Sequence, residues 1–263
     1  MIIYMNYIII ILGIIIVFLI YYVYTIVTAV PTIIKSVDLT QAVANIPSSA
    51  ISNPYSTNYT IGVWVYVSQF TPQIGRFLMY GDAANNGSKS MFSLRMDTRG
   101  NNLYADVLVN KIGGGKTIMP VLLNLTQGSF PIQKWVYVVV SVSYNYIEAY
   151  LNGKFMTAVN INNNTSFGVN GIRQVQAPKD PNAGATFYFG GLGSTMDDGI
   201  TTRTNGCPII LTQLSRWDSP LTAGDIYNNY LKGNGQQTSI WGPSYHMNIN
   251  VTQDNNSYVL PVF

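Results

Sequence analysis

The first pattern along the chain is a block with no period. From Met1 to Ile34 there is no charged side chain, and residues 8–30 are an almost unbroken run of Ile, Val, Leu, Phe and Tyr, interrupted by Gly13, Thr25 and Thr28. A helix of about 25 residues spans about 37 Å, more than the ~30 Å of bilayer hydrocarbon, so this block predicts one transmembrane helix. Ile8, Ile16, Phe18 and Val30 mark its lipid-facing side chains, and Pro31 stops the helix. Tyr4 and Tyr7 near one end and Tyr21, Tyr22 and Tyr24 near the other suit the headgroup level, where amphipathic rings gather. A cleaved signal peptide would show a basic start, a short apolar core and a small-x-small site. No Lys or Arg precedes Ile8, the run is too long, and Thr28-Ala29-Val30 is a poor site, so a retained anchor over residues 1–32 is expected. Lys35 is the only nearby charge, and the sidedness stays open.

Residues 33–57 hold Pro47, Pro54 and several Ser and Asn with no long apolar run, and read as an extended linker. A period of two then begins. Residues 60–67, Thr-Ile-Gly-Val-Trp-Val-Tyr-Val, alternate as a half-buried strand does. Further strands are expected at 76–81, 90–97, 101–108 and 117–123, with Gly113-Gly114-Gly115 as a breaker between the last two. Residues 134–142 and 146–151 read as two strong strands across a short turn, and Asn152-Gly153 supplies a type I′ turn into a third strand at 154–159. Strands at 186–191 and 208–216 follow, then one short helix near 219–230 with Ser219 or Thr222 as its N-cap. Residues 233–263 are polar and rich in Gly and Asn, and read as an irregular tail.

Composition narrows the function classes. Asn, Ile, Tyr, Thr, Gly and Val abound while Ala, Glu and Lys are scarce, which favours strands joined by Asn/Gly turns. Fourteen Lys and Arg against 11 Asp and Glu give a net charge of +3, scattered singly, so nucleic acid has no electrostatic footprint here. Cys207 is the only cysteine and His246 the only histidine, which removes an internal disulfide, a Cys/His zinc site and a His-based nucleophilic triad.

Four pieces in order carry a resemblance: the opening strand Tyr59 to Val65, the strand Lys134 to Val138, the hairpin Ala149-Tyr150-Leu151-Asn152-Gly153-Lys154, and Leu214 to Leu221 followed by Asp225-Ile226-Tyr227. Together, across residues 58–232, they resemble the laminin G-like branch of the concanavalin A-like lectin/glucanase superfamily, with Asn152 where that family more often has Asp. The resemblance implies an all-β, concanavalin A-like jelly-roll sandwich, here preceded by the transmembrane helix. It implies a fold and leaves function to the site.

Glucanases of this superfamily carry a Glu-x-Asp-x-x-Glu strand that holds acid and nucleophile about 5 Å apart. Nothing matches it: Glu148 has Tyr150 and Asn152 two and four residues on. No catalytic residue is expected. Lectins of the fold often hold sugar through Ca²⁺ bound by Asp and Asn oxygens. The loops at 81–86 and 196–199 have such oxygens but read as solvated turns, so no metal and no cofactor is expected. Trp64, Trp135 and Trp217 read as core or near-core packing. Trp241, Tyr245 and His246 lie where no strand claims them and are the candidate protein contact. The Asn-x-Ser/Thr sites at Asn58, Asn86, Asn124, Asn163, Asn164, Asn250 and Asn255 are expected by chance at this composition.

A rigid β block tethered to a bilayer suits holding or assembly more than turnover. Its size, single anchor, lone cysteine and Asn/Ile/Tyr-heavy composition resemble minor capsid or membrane proteins of large double-stranded DNA viruses with an internal membrane. That resemblance implies a single-pass protein at the interface of virion membrane and capsid, with the lipid bilayer and other capsid or membrane-associated proteins as partners and no enzymatic activity. The alternative is a cell-surface or virion-surface carbohydrate-binding module.

Overall fold

The computed structural model describes residues 2–27, 31–41, 43–69, 75–82, 90–97, 102–110, 116–123, 129–161, 174–175, 185–190, 208–234, 248–253 and 256–261. The chain divides into two compact units, residues 1–31 and 32–263. The first is helix α1 (Ile2–Val27), 26 residues without a charged side chain. Its side chains are described over residues 11–23, where the large apolar ones are exposed from 47% at Ile16 to 68% at Phe18. Among the described residues no helix is long and apolar enough to cross a membrane; residues 11–23 rise only about 20 Å against about 30 Å of hydrocarbon. The expected helix is therefore present. The membrane span expected over residues 1–32 goes beyond what these side chains show.

The second unit is built from strands. In chain order come β1 (Thr32–Asp38), a 3-10 turn (Ser48–Ala50), β2 (Tyr59–Val67), β3 (Arg76–Asp82), β4 (Ser90–Met96), β5 (Leu103–Asn110) and β6 (Lys116–Leu122). Then follow β7 (Trp135–Val142), β8 (Tyr146–Leu151), β9 (Lys154–Asn160), β10 (Gln174–Val175), β11 (Ala185–Phe189), β12 (Ile209–Trp217), helix α2 (Ala223–Leu231), β13 (Asn248–Gln253) and β14 (Asn256–Pro261). Among the described residues one sheet runs β1-β12-β2-β7-β8-β9, and the other runs β10-β5-β4-β3-β11 with β6 also paired to β5. The pairings are antiparallel, as in a jelly-roll-like sandwich.

Two expectations from the sequence change. The stretch read as a linker, 33–57, is in part strand: β1 pairs with β12 from Thr32↔Ser215 to Asp38↔Ile210 and forms an edge of the first sheet. Its β-branched residues Thr32, Ile33, Ile34 and Val37 suit that role. The tail read as irregular contains the hairpin β13–β14, with Gln253 opposite Asn256. Apolar positions at 249 and 251 and at 258 and 260 give it the period of two.

Alternation builds the core. Tyr59, Ile61, Val63, Val65 and Val67 of β2 are buried in one cluster with Val136, Val138, Val140 and Val142 of β7 and with Ile147, Ala149 and Leu151 of β8. Phe92, Leu94 and Met96 of β4 and Leu103, Ala105, Val107 and Val109 of β5 meet them in the same cluster. The two inner faces pack as a sandwich core does. Each buried branched side chain contributes about 1.5–3 kcal/mol, so the fold does not need a disulfide.

Candidate functional site

The outward-facing residues of β2 and β7 form a second layer. Trp64, Tyr137, Val139, Tyr150 and Ile226 are buried together, with Trp135, Leu221 and Tyr230 half-buried against them. Helix α2 supplies Ile226 and Tyr230. It starts where its capping box forms: Thr222 Oγ1 accepts from the Asp225 N–H at 3.2 Å, and Asp225 Oδ2 accepts from the Thr222 N–H at 3.4 Å. Trp64 lies 5.6 Å from the Tyr230 ring, stacked, and 5.2 Å from Tyr137. Burial pushes the Tyr137 phenol well above its usual range. A Cβ at Gly62 would stand 2.8 Å from Tyr137 Oη and 3.1 Å from the Trp217 ring, so only glycine lets both settle there. The three tryptophans thus pack as expected but on the outer face of the sheet. Trp64 is buried under α2, while Trp135 and Trp217 are half-buried.

The Asn152-Gly153 turn is locked to the same layer. Both residues have positive φ, 50° and 73°, as a type I′ turn requires. Asn152 Oδ1 accepts from the Tyr137 N–H at 2.9 Å, and the Asn152 N–H donates to the Tyr137 carbonyl at 2.8 Å. A Cβ on Gly153 would come within 2.9 Å of the Tyr227 ring.

A charge cluster lies on the second sheet. Arg76 (β3), wholly buried, donates from Nε to Ser93 Oγ at 3.0 Å, and its Nη2 lies 3.4 Å from Asp106 Oδ2. Arg95 Nε lies 2.6 Å from the same oxygen, with its guanidinium 4.3 Å over the Tyr104 ring. One carboxylate between two guanidiniums is a structural clasp across β3, β4 and β5. Glu148 accepts from the Tyr150 hydroxyl at 2.9 Å. Among the described residues no group of three His, Cys, Asp or Glu could hold a metal. The candidate Ca²⁺ loops fall almost wholly outside the described residues.

A second deeply buried guanidinium was not signalled by the sequence. Arg216, next to last in β12, is 3% exposed and reaches inward at the end of the sandwich. Its Nη1 donates to the Ser52 carbonyl at 2.8 Å, and its Cζ lies 5.5 Å from the Tyr59 ring centre and 5.3 Å from that of Tyr80. The Tyr80 hydroxyl donates to the Pro54 carbonyl. Loss of water pushes the Tyr80 phenol up to about 12 although the Arg216 charge opposes the shift, and it pushes the wholly buried Tyr59 higher still. A strand arginine beside Trp217 reads in sequence as solvent-facing, which is why it carried no signal.

Of the residues expected to act, Ile16 and Phe18 are exposed on α1. Ile8 lies in the helix with its side chain outside the described residues, and Val30, Trp241, Tyr245 and His246 lie outside them altogether. The candidate protein contact is therefore neither assembled nor dispersed by what is described.

The sequence profile of the concanavalin A-like lectin/glucanases superfamily matches residues 39–227. Among solved structures the chain is similar to the binding domain of botulinum neurotoxin serotype D, at 12% identity and a TM-score of 0.49 over 86% of this chain and 54% of that one. It is also similar to the botulinum neurotoxin serotype G binding domain, at 10% identity and a TM-score of 0.45 over 80% of this chain and 51% of that one. The receptor-binding domain of the C/D mosaic serotype matches at 14% identity and a TM-score of 0.45, over 80% and 48% of the two chains. The chain spans about half the length of each. No curated protein matches it.

Proposed function

Since the chain belongs to the concanavalin A-like lectin/glucanases superfamily, whose profile covers residues 39–227, and since that fold prescribes no single activity, we propose a non-catalytic, membrane-anchored binding module. Its finer role in this proposal is that of a minor capsid or virion membrane protein linking an internal membrane to a shell. One observation carries the reading: the large side chains described on α1 are aliphatic or aromatic, exposed and uncharged, with hydroxyls only on Tyr21 and Tyr22 near one end. A helix that is apolar all round is not an amphipathic surface helix, and its natural cover is lipid. The β unit adds a packed block with a buried charge clasp and no described carboxylate pair, which suits contact more than chemistry.

The test is extraction. The full chain should stay with membranes in alkaline carbonate and leave them in nonionic detergent, whereas a variant lacking residues 1–31 should appear in the soluble fraction. Carbonate release of the full chain would remove the anchor. For the finer role, detergent treatment of purified particles should strip the membrane yet leave the protein cross-linkable to shell proteins; absence from particles would sink it. A second reading, carbohydrate binding, is favoured by the exposed rings of Tyr144, Tyr146 and Phe155 around β8. A glycan array with the full chain in detergent distinguishes the two.

A further inference from the structure

We infer that the end of the sandwich beneath residues 51–58 is a binding site for one small oxyanion of formate-to-phosphate size, held by the guanidinium edge of Arg216 and the hydroxyl of Tyr59. This inference is independent of the membrane and shell reading.

Three buried polar atoms there have no hydrogen-bond partner: Arg216 Nε and Nη2 and Tyr59 Oη. Tyr59 is 1% exposed and Arg216 3%, so solvent at the surface does not serve them. They belong to adjacent strands. Arg216 pairs with Ile61 and Trp217 with Thr60, which puts Tyr59, the first residue of β2, one step beyond. The backbone of 51–58 closes over this corner: Ser52 accepts from Arg216 Nη1, Pro54 accepts from Tyr80, and Ser56 Oγ donates to the Asp218 carbonyl at 3.2 Å.

The geometry of the guanidinium selects the ligand. With Nη1 engaged, the atoms left over are Nε and Nη2, the side-on edge whose two parallel N–H groups match two oxygens of one carboxylate or phosphate. A halide can take only one point on that fork. The ring faces of Tyr59 and Tyr80 cover the guanidinium and offset some of its charge, but they accept nothing from N–H groups lying in its plane. The carboxylate of Asp106 is engaged by Arg76 and Arg95, and no described carboxylate is paired with Arg216. A buried, unbalanced cation with two free donors costs several kcal/mol unless an acceptor arrives. Tyr59 Oη adds a third donor.

The experiment is thermal unfolding of the full chain in nonionic detergent, titrated with sodium formate, sodium phosphate or sodium chloride at constant ionic strength. A saturable rise in Tm with formate or phosphate, absent with chloride, is expected. Tyr59→Phe keeps the ring and removes one donor, so it should raise the half-saturating concentration roughly tenfold, the loss of one hydrogen bond to a charged group. Arg216→Lys keeps the charge without the fork and should abolish saturation. Equal responses to all three salts, or no response to any, would overturn the site and leave these atoms to buried water. So would a Tyr59→Phe titration that superimposes on that of the unaltered chain, an outcome readable even where Arg216→Lys does not fold.

Discussion

Arg76 and Arg216 are equally removed from water, yet one is answered inside the chain and the other is not. Arg76 meets Ser93 Oγ and the carboxylate of Asp106, which it shares with Arg95. Arg216 meets one backbone carbonyl and two tyrosine faces, and keeps two guanidinium nitrogens, Nε and Nη2, without a partner. Burial alone therefore does not say what a charge does. A buried charge with its counter-charge belongs to the architecture; one without it has bonding capacity left over, and that capacity is where a ligand can act.

The comparison breaks most visibly at Asp106. Replacing it with Asn removes the carboxylate that Arg76 and Arg95 share and takes the counter-charge at 3.4 Å from a wholly buried cation. Losing one partner of a buried pair costs about 3–5 kcal/mol, and urea titration should show a loss of that size. A loss under about 1 kcal/mol would mean that Asp106 is not what makes Arg76 tolerable.

Next in size is the alkaline behaviour of Tyr80, whose ring lies on Arg216. Its folded pKa is raised from 10.0 to about 12, first by loss of water, with the Arg216 charge opposing. The folded state therefore keeps a proton that the unfolded state gives up above pH 10. The stability held by the neutral phenol is complete below pH 10 and is lost as pH rises toward 12, in total about 2–3 kcal/mol at 1.36 kcal/mol per unit. Urea unfolding at pH 9.5 and 11.5 should show this fall, and Tyr80→Phe should flatten part of it. An unchanged slope in that variant would assign the alkaline loss to other groups, Tyr59 first.

Smaller again is Arg216→Met in chloride buffer. The change removes one hydrogen bond and two ring contacts, together worth about 2–3 kcal/mol, but it also removes two donors that each cost about 1–3 kcal/mol unpaired. The opposing effects should leave a net change within about 1.5 kcal/mol, well short of Asp106→Asn. A loss above 3 kcal/mol by urea titration would show that Arg216 is balanced from within and would erase the contrast.

Neither arginine was legible in the sequence, for a physical reason. Arg76 stands next to Phe77, and Arg216 stands between Ser215 and Trp217, so period-2 reading sends each to a solvent face. The outer face of the second sheet is instead buried at Met79, Ser93 and Asp106, which alternation within one strand cannot announce. What could be read was local. The β7-β8-β9 meander shows in its valine alternation, the turn in Asn152-Gly153, and the start of α2 in the pair of N-cap candidates Ser219 and Thr222, of which the structure uses Thr222. Long-range pairing was less visible. Strand β1 finds its place only through β12, which lies far along the chain, and the deepest of the three sheet tryptophans is Trp64 because α2 roofs it.

The smallest expected effect is a charge placed where water still reaches. Asn152→Asp introduces a carboxylate at the β8–β9 turn, where residue 152 is half-buried. The role of the side chain there is to accept: its Oδ1 takes the Tyr137 N–H at 2.9 Å, and an aspartate oxygen accepts the same bond. The backbone, at φ 50°, asks for a residue that tolerates the left-handed region, and Asp is among the few that do. Neither the hydrogen bond nor the turn should notice the change, and the added charge stays in contact with solvent. The unfolding free energy should move by less than about 0.5 kcal/mol, as for ordinary surface substitutions. Gly153→Val in the same turn is the control that must fail, since any Cβ there meets the Tyr227 ring at 2.9 Å and must also adopt φ 73°. If Asn152→Asp instead destabilised the protein as much as Asp106→Asn, access of water would not be the variable that separates a tolerated charge from a costly one. The contrast between Arg76 and Arg216 would then need another cause.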